Sequence, residues 1–153
     1  MFATSGGARD PLNARLNYGY AVLRSMIARS LAMAGLNGSL GVGHCNQQNP
    51  FNLADDLIEP WRCVVEDRVL AEFEADPGAD FDGQARKRLL QFILAEVPLR
   101  TGDFRLPAAI VKMVNDWVFA LERHAQGAAQ PPQLDVLEFR QWASLRVLSW
   151  LFS

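Results

Sequence analysis

One imidazole, three carboxylates and a guanidinium crowd into the stretch GHCNQQNPFNLADDLIEPWR: His44, Asp55, Asp56, Glu59 and Arg62. On a helix, residues three or four apart share a face. Asp55 and Glu59 are four apart and Asp56 and Glu59 three, so one face is expected to gather two or three carboxylates. Left unpaired, they repel and resist joint ionisation; a divalent cation removes that penalty. His44 adds a nitrogen ligand from the preceding loop. Carboxylate oxygens with one imidazole suit Mg²⁺ or Mn²⁺, with water and phosphate oxygens completing the shell. Such an ion polarises a phosphodiester and stabilises an attacking or leaving oxygen, and the Arg62 guanidinium matches phosphate geometry. A plainer reading uses the same residues. The histidine bonds a neighbouring carboxylate, and Asp55 and Asp56 offset the dipole at a helix start. The residues alone leave both open.

Helices must place these groups. Asp10 followed by Pro11 reads as an N-cap with proline at the first helical position. Leu16, Tyr20, Leu23, Ile27 and Leu31 then recur as a helical stripe, and Gly35 is a left-handed stop. Gly41 and Gly43 sit in a short link and form no phosphate-loop pattern. Asn52 caps the next helix, which carries Leu53, Leu57 and Ile58. Pro60, lacking an amide donor, kinks that helix or starts another, in which Trp61, Val64, Val65, Val69 and Phe73 continue the pattern. EADPGADFDG breaks it. Further helices are expected from about Gln84 to Val97, from about Pro107 to His124, and from Leu137 to Phe152 beyond the small-residue linker AQGAAQPPQ. No segment alternates convincingly as a strand. The expected class is all-α, a single helical domain of about six helices.

Other polar groups carry less. Asn13, Asn17 and Tyr18 on the first helix are read as structural, since Asn is a mediocre helix former. Arg86, Lys87 and Arg88 begin a helix, where cations oppose the dipole; a solvated face explains them, and phosphate binding is the sharper alternative. His124 sits near a helix C-terminus, where a cation is expected.

The net charge of -2 gives no global attraction to nucleic acid, although a local basic patch would suffice. Cys45 and Cys63 match neither a zinc ribbon nor a disulfide framework. The N-terminal residues carry no apolar signal core, and no run approaches the ~20 apolar residues of a membrane span. A reduced, cytoplasmic setting is expected.

Two signatures, DPLNARLNYGY and H…NPFNLADDLIEPWR, resemble the catalytic domain of the CRISPR-associated adaptation integrase and endonuclease family, Cas-one, and its type II branch in particular. The resemblance runs from residue 9 to about residue 70. It implies joining of short DNA segments into a CRISPR array, by metal-dependent attack of a DNA 3'-hydroxyl on a phosphodiester of the repeat. It implies Mg²⁺ or Mn²⁺ held by His44 and Glu59, with Asp56 and Arg62 as close support and Asn13 and Asn17 as positioning residues. The implied partners are prespacer and repeat DNA, a second copy of the chain, and a Cas-two dimer, with no membrane. Composition and periodicity give a frayed segment at 1–9 and a linker with an atypical C-terminal helix at 125–153, around a helical domain at 10–124 that the resemblance makes catalytic in type. Family members are longer and begin with a β-rich domain and a further metal-binding glutamate. The chain is therefore expected to be a truncated catalytic domain with two of three ligands, binding metal weakly and cleaving DNA little. The alternative is an inert DNA-binding or scaffold remnant docked through Trp142, Leu145, Leu148, Trp150, Leu151 and Phe152. A helical interaction domain with no nucleic-acid role fits the double signature least.

Overall fold

The computed structural model describes residues 10–44, 46–99 and 102–127. Their order is α1 (Pro11–Met33), α2 (Asn52–Ile58), a 3-10 turn (Glu59–Trp61), α3 (Arg62–Ala75), α4 (Gly83–Ile93), β1 (Glu96–Leu99), β2 (Gly102–Arg105) and α5 (Leu106–Ala125). Helix α1 is the hub, packed against each of the other four.

The start and stop of α1 follow from local chemistry. Asp10 accepts a hydrogen bond from the Leu12 amide at 3.0 Å, with Pro11 opening the helix. At the other end Gly35 adopts φ 75°. There the Gly35 amide donates to Ala32 O and the Leu36 amide to Leu31 O, the paired bonds of a left-handed glycine stop.

The buried line of α1 runs through Arg15, Gly19, Leu23, Ile27, Ser30 and Leu31. The expected line matches in its last three members. At the first two, the half-buried Leu16 and Tyr20 lie one position beyond the fully buried Arg15 and Gly19. Two contacts cause the offset. A Cβ at Gly19 would lie 2.5 Å from Val65 Cγ1, so α1 and α3 cross there with no room for a side chain. Arg15 is buried because every part of it is engaged: Nε donates to Glu72 Oε2 at 2.8 Å, Nη1 to Pro11 O, and Nη2 to Ala79 O. The guanidinium carbon also lies 5.4 Å and 5.1 Å from the Phe73 and Phe81 ring centres.

Pro60 sits inside the 3-10 turn, and α2 and α3 are separate helices on either side of it. Trp61, fully buried, closes the core beneath this break and donates its indole N–H to Met113 Sδ at 3.0 Å. Leu53, Leu57, Ile58, Val64, Val65, Val69, Leu89, Ile93, Ile110, Val114 and Trp117 complete that core.

Two expectations fail between α4 and α5. Helix α4 ends at Ile93 and not near Val97, and residues 96–105 contain an antiparallel strand pair, with Glu96 opposite Arg105 and Val97 opposite Phe104. The class is mostly helical with a small two-stranded sheet. Val97 lies four positions after Ile93, so its burial fits a helix as well as a strand and apolar spacing could not separate the two. Arg68 of α3 caps the end of the helix. Its buried guanidinium donates to Ile93 O at 2.6 Å, the carbonyl that the Val97 amide would take in a continued helix, and to Glu96 O at 2.7 Å beyond it. Pro98 then continues the strand without an amide to donate.

The expected sixth helix, Leu137 to Phe152, and the expected frayed segment 1–9 lie outside the described residues. No helix among the described residues is long and apolar enough to cross a membrane.

Candidate metal site

Helix α2 and the 3-10 turn after it carry three carboxylates in three directions. Asp55 is buried and turned toward α1, where Arg24 Nε lies 2.7 Å from Oδ1 while Asn49 Nδ2 donates to Oδ2 at 2.8 Å. Asp56, one position on, faces the loop that leads to His44. Glu59, in the 3-10 turn, is exposed and pairs with Arg62 Nη1 at 3.3 Å. Asp55 and Glu59 therefore do not share a working face. The repulsion expected of unpaired carboxylates does not arise, because each already has its own positive or hydrogen-bonding partner.

The most elaborate arrangement surrounds Asp56. Backbone amides of Val42, Gly43 and His44 all donate to its carboxylate, and the His44 ring completes the set with Nδ1 2.6 Å from Oδ1. Successive amides folded around one anion form a nest. Burial alone raises the Asp56 pKa. The hydrogen bonds from the His44 ring and from the Gly43, Val42 and His44 amides outweigh it, and the carboxyl is held below its ordinary range.

The glycines explain how the loop comes so close. A Cβ at Gly41 would lie 2.2 Å from His44 O, 2.8 Å from Asn52 Cβ and 3.0 Å from Asp56 Oδ2; one at Gly43 would lie 3.1 Å from Asp56 Oδ1. They serve a carboxylate of the protein itself. Gly-x-Gly directly before a histidine was the available signal for that nest, and the absence of a phosphate-loop pattern hid it.

Asn52 does not cap α2 as expected. The cap position belongs to Phe51, which makes no side-chain cap bond. The buried Asn52 carboxamide instead points into the loop, with Nδ2 donating to Ser39 O at 3.0 Å and Asn46 O at 2.7 Å. Asparagine before an apolar run has the composition of a cap, but these loop carbonyls compete successfully for its hydrogens.

Arg62 opens α3 and is held on three sides. Glu59 lies at 3.3 Å, Glu66 at 3.7 Å, and the Tyr20 ring centre 5.1 Å from the guanidinium carbon. Tyr20 O–H donates to Glu66 Oε1 at 2.6 Å. Contact with Tyr20 raises the Arg62 pKa, with desolvation opposing and Glu59 assisting.

Of the first-helix residues, Asn13 Nδ2 donates to Asp10 Oδ2 at 2.8 Å, Tyr18 meets Phe81 edge-on at 5.6 Å, and Asn17 is exposed. The basic start of α4 is exposed, with Arg86 over the Phe81 ring and Arg88 Nη2 3.9 Å from Glu72. His124 lies in the last turn of α5, beside Arg123.

A divalent cation can be tested against these donors. An imidazole whose Nδ1–H is held by a carboxylate leaves Nε2 as a ligand in the correct tautomer. His44 is half exposed and meets that condition. Glu59, one turn beyond Asp56, is exposed and bound only by a long surface pair, so its carboxylate is free to exchange. These two donors fit in kind. Among the described residues no group of three or more His, Cys, Asp or Glu is placed around a common point.

Comparison with known proteins places the chain among relatives of one family. The family model described as CRISPR associated protein Cas1 matches residues 4–90. A CRISPR-associated endonuclease Cas1 of Neisseria meningitidis serogroup C (strain 8013) is 34% identical over 133 residues, covering 86% of this chain and 44% of the relative. One from Pyrobaculum aerophilum is 37% identical over 128 residues, covering 83% and 40%. The chain thus spans less than half the length of these relatives. Among solved structures, a casposase bound to integration product matches with a TM-score of 0.66 at 18% identity, over 93% of this chain and 44% of that one; the likeness is one of fold.

Proposed function

The chain belongs to the CRISPR associated protein Cas1 family, and from that premise we propose that it carries the part of a DNA-joining site built on His44, Asp56, Glu59 and Arg62. The observation that carries this reading is the 2.6 Å contact between His44 Nδ1 and a carboxylate already anchored by three backbone amides. A histidine needed only for packing would not have to be half exposed with its outer nitrogen directed by such a device. Related proteins named as endonucleases, and a structural relative bound to an integration product, support DNA as the substrate.

In this reading Asp56 accepts the Nδ1 proton and fixes the tautomer, so Nε2 presents its lone pair to solvent. Glu59, exposed in the 3-10 turn, would release Arg62 and offer an oxygen. Arg62, steadied by Glu66 and the Tyr20 ring, takes a phosphate oxygen as its new partner. Mg²⁺ or Mn²⁺, when bound, would supply the positive charge that phosphodiester chemistry needs. His44 and Glu59 would be the residues of this chain that hold it, and two protein donors would hold it weakly. The proposed partners are prespacer and repeat DNA, a second copy of the chain and a Cas-two dimer, in the cytoplasm.

A second reading has an observation of its own. Asp55 and Glu59 each face an arginine and Asp56 is held by amides and the His44 ring, so all three carboxylates already have partners within the protein, as in an inert DNA-binding scaffold. Cleavage of a DNA duplex by the full chain in Mn²⁺, set against His44→Ala, separates the two. Slow cleavage that disappears in His44→Ala is expected. Equal rates in the two proteins would reject the catalytic reading in favour of the scaffold.

A further inference from the structure

We propose that Asn52 is a positioning residue for His44, clamping both ends of the loop that carries the imidazole. The inference rests on the reading of His44 as a metal ligand. Asn52 is 3% exposed. It gives one Nδ2 hydrogen to Ser39 O, five residues before His44, and the other to Asn46 O, two residues after it. A third tether runs beside them, from the Leu53 amide to Gly38 O at 2.8 Å. Asp56 holds the centre of the same loop. The imidazole is thus suspended between two carboxamide bonds outside and the carboxylate nest within.

Two carbonyl oxygens on one side-chain nitrogen fix the orientation of the carboxamide, because a flipped amide would set oxygen against oxygen. They also explain the residue type. Aspartate has the same shape but no hydrogens to give, and it would set lone pairs against both carbonyls. Leucine would bury cleanly and hold nothing. The carboxamide oxygen finds no partner among the described residues, an unfavourable burial that an apolar side chain would avoid. The two donated bonds account for its presence.

The test follows the His44 ring by ¹⁵N NMR at pH 8 in the full chain, together with Mn²⁺ affinity read from paramagnetic broadening. The wild type is expected to show one tautomer, with the proton on Nδ1. In Asn52→Asp and Asn52→Ala the ring is expected to exchange between tautomers, and Mn²⁺ affinity to fall about 10-fold or more, with helical circular dichroism unchanged. A fixed tautomer and affinity within about twofold of wild type would overturn the inference. So would failure of both variants to fold, which would make Asn52 a folding residue. His44→Ala keeps the two readings apart. If it leaves Mn²⁺ binding intact, the metal reading fails, and the tautomer still decides whether Asn52 positions the ring.

Discussion

Gly41→Val should detach the His44 loop from α2 while leaving the helices assembled. A side chain at position 41 meets backbone: its Cβ would lie 2.2 Å from His44 O. Relief requires about 1 Å of movement to reach ordinary contact distance. Asn52 Cβ and Asp56 Oδ2 close the other two directions, so the movement must carry His44 away from its carboxylate. Three amide bonds and the ring contact are lost together. The loop is exposed and Asp56 can rehydrate, so the stability cost should stay near the ~1 kcal/mol of a hydrogen bond or two. The functional cost should be much larger, with Mn²⁺ binding reduced to that of His44→Ala. Hydrogen exchange reads the loop directly: the Val42, Gly43 and His44 amides should exchange freely in the variant. Protection equal to wild type would show that the close approach of Gly41 does not hold the loop.

Arg15→Ala should be the most damaging single change to stability. The side chain is fully buried, and its partner Glu72 is 9% exposed. Removing one member of a buried pair leaves the other charge uncompensated, at a cost of about 3–5 kcal/mol. The Pro11 and Ala79 carbonyls lose donors as well, and the space between Phe73 and Phe81 empties. Arg88 lies 3.9 Å from the second Glu72 oxygen and recovers part of the charge term, which favours the lower end of that range. Against a total stability of ~5–15 kcal/mol, even 3 kcal/mol is severe. Urea unfolding measures it. The double change Arg15→Met with Glu72→Leu should return most of the loss, since an apolar pair replaces a buried ion pair at little cost. A single variant within about 1 kcal/mol of wild type would mean that the pair is relieved by solvent.

The parts legible in the sequence were those decided by neighbours along the chain. Asp10, Pro11 and Gly35 mark the ends of α1 because capping acts over a few residues. Pro60 divides α2 from α3 for the same local reason. The parts that were not legible depend on distant partners. The expected α1 stripe does not include Arg15, whose burial depends on Glu72 and Ala79 from elsewhere in the chain. Val97 reads as helical until Arg68 claims the Ile93 and Glu96 carbonyls. Within the candidate site, residue types and spacing brought forward His44, Asp55, Asp56, Glu59 and Arg62, and the family resemblance narrowed them to His44, Asp56, Glu59 and Arg62. Spacing could not show that Asp55 turns to Arg24, that Asn52 serves the loop and not the helix, or that Gly41 and Gly43 wrap Asp56. Each of those depends on backbone closing over a side chain from another element.

In the proposed site Asp56 would direct His44 Nε2 outward to a divalent cation shared with Glu59. Anomalous diffraction at the manganese edge from crystals of this chain grown with MnCl₂ tests it most directly. A peak at bonding distance from His44 Nε2 and a Glu59 oxygen, with Asp56 still bonded to Nδ1, is the expected result. Manganese bound elsewhere with none at His44, or a peak on Asp56 with the Nδ1 bond broken, would contradict it.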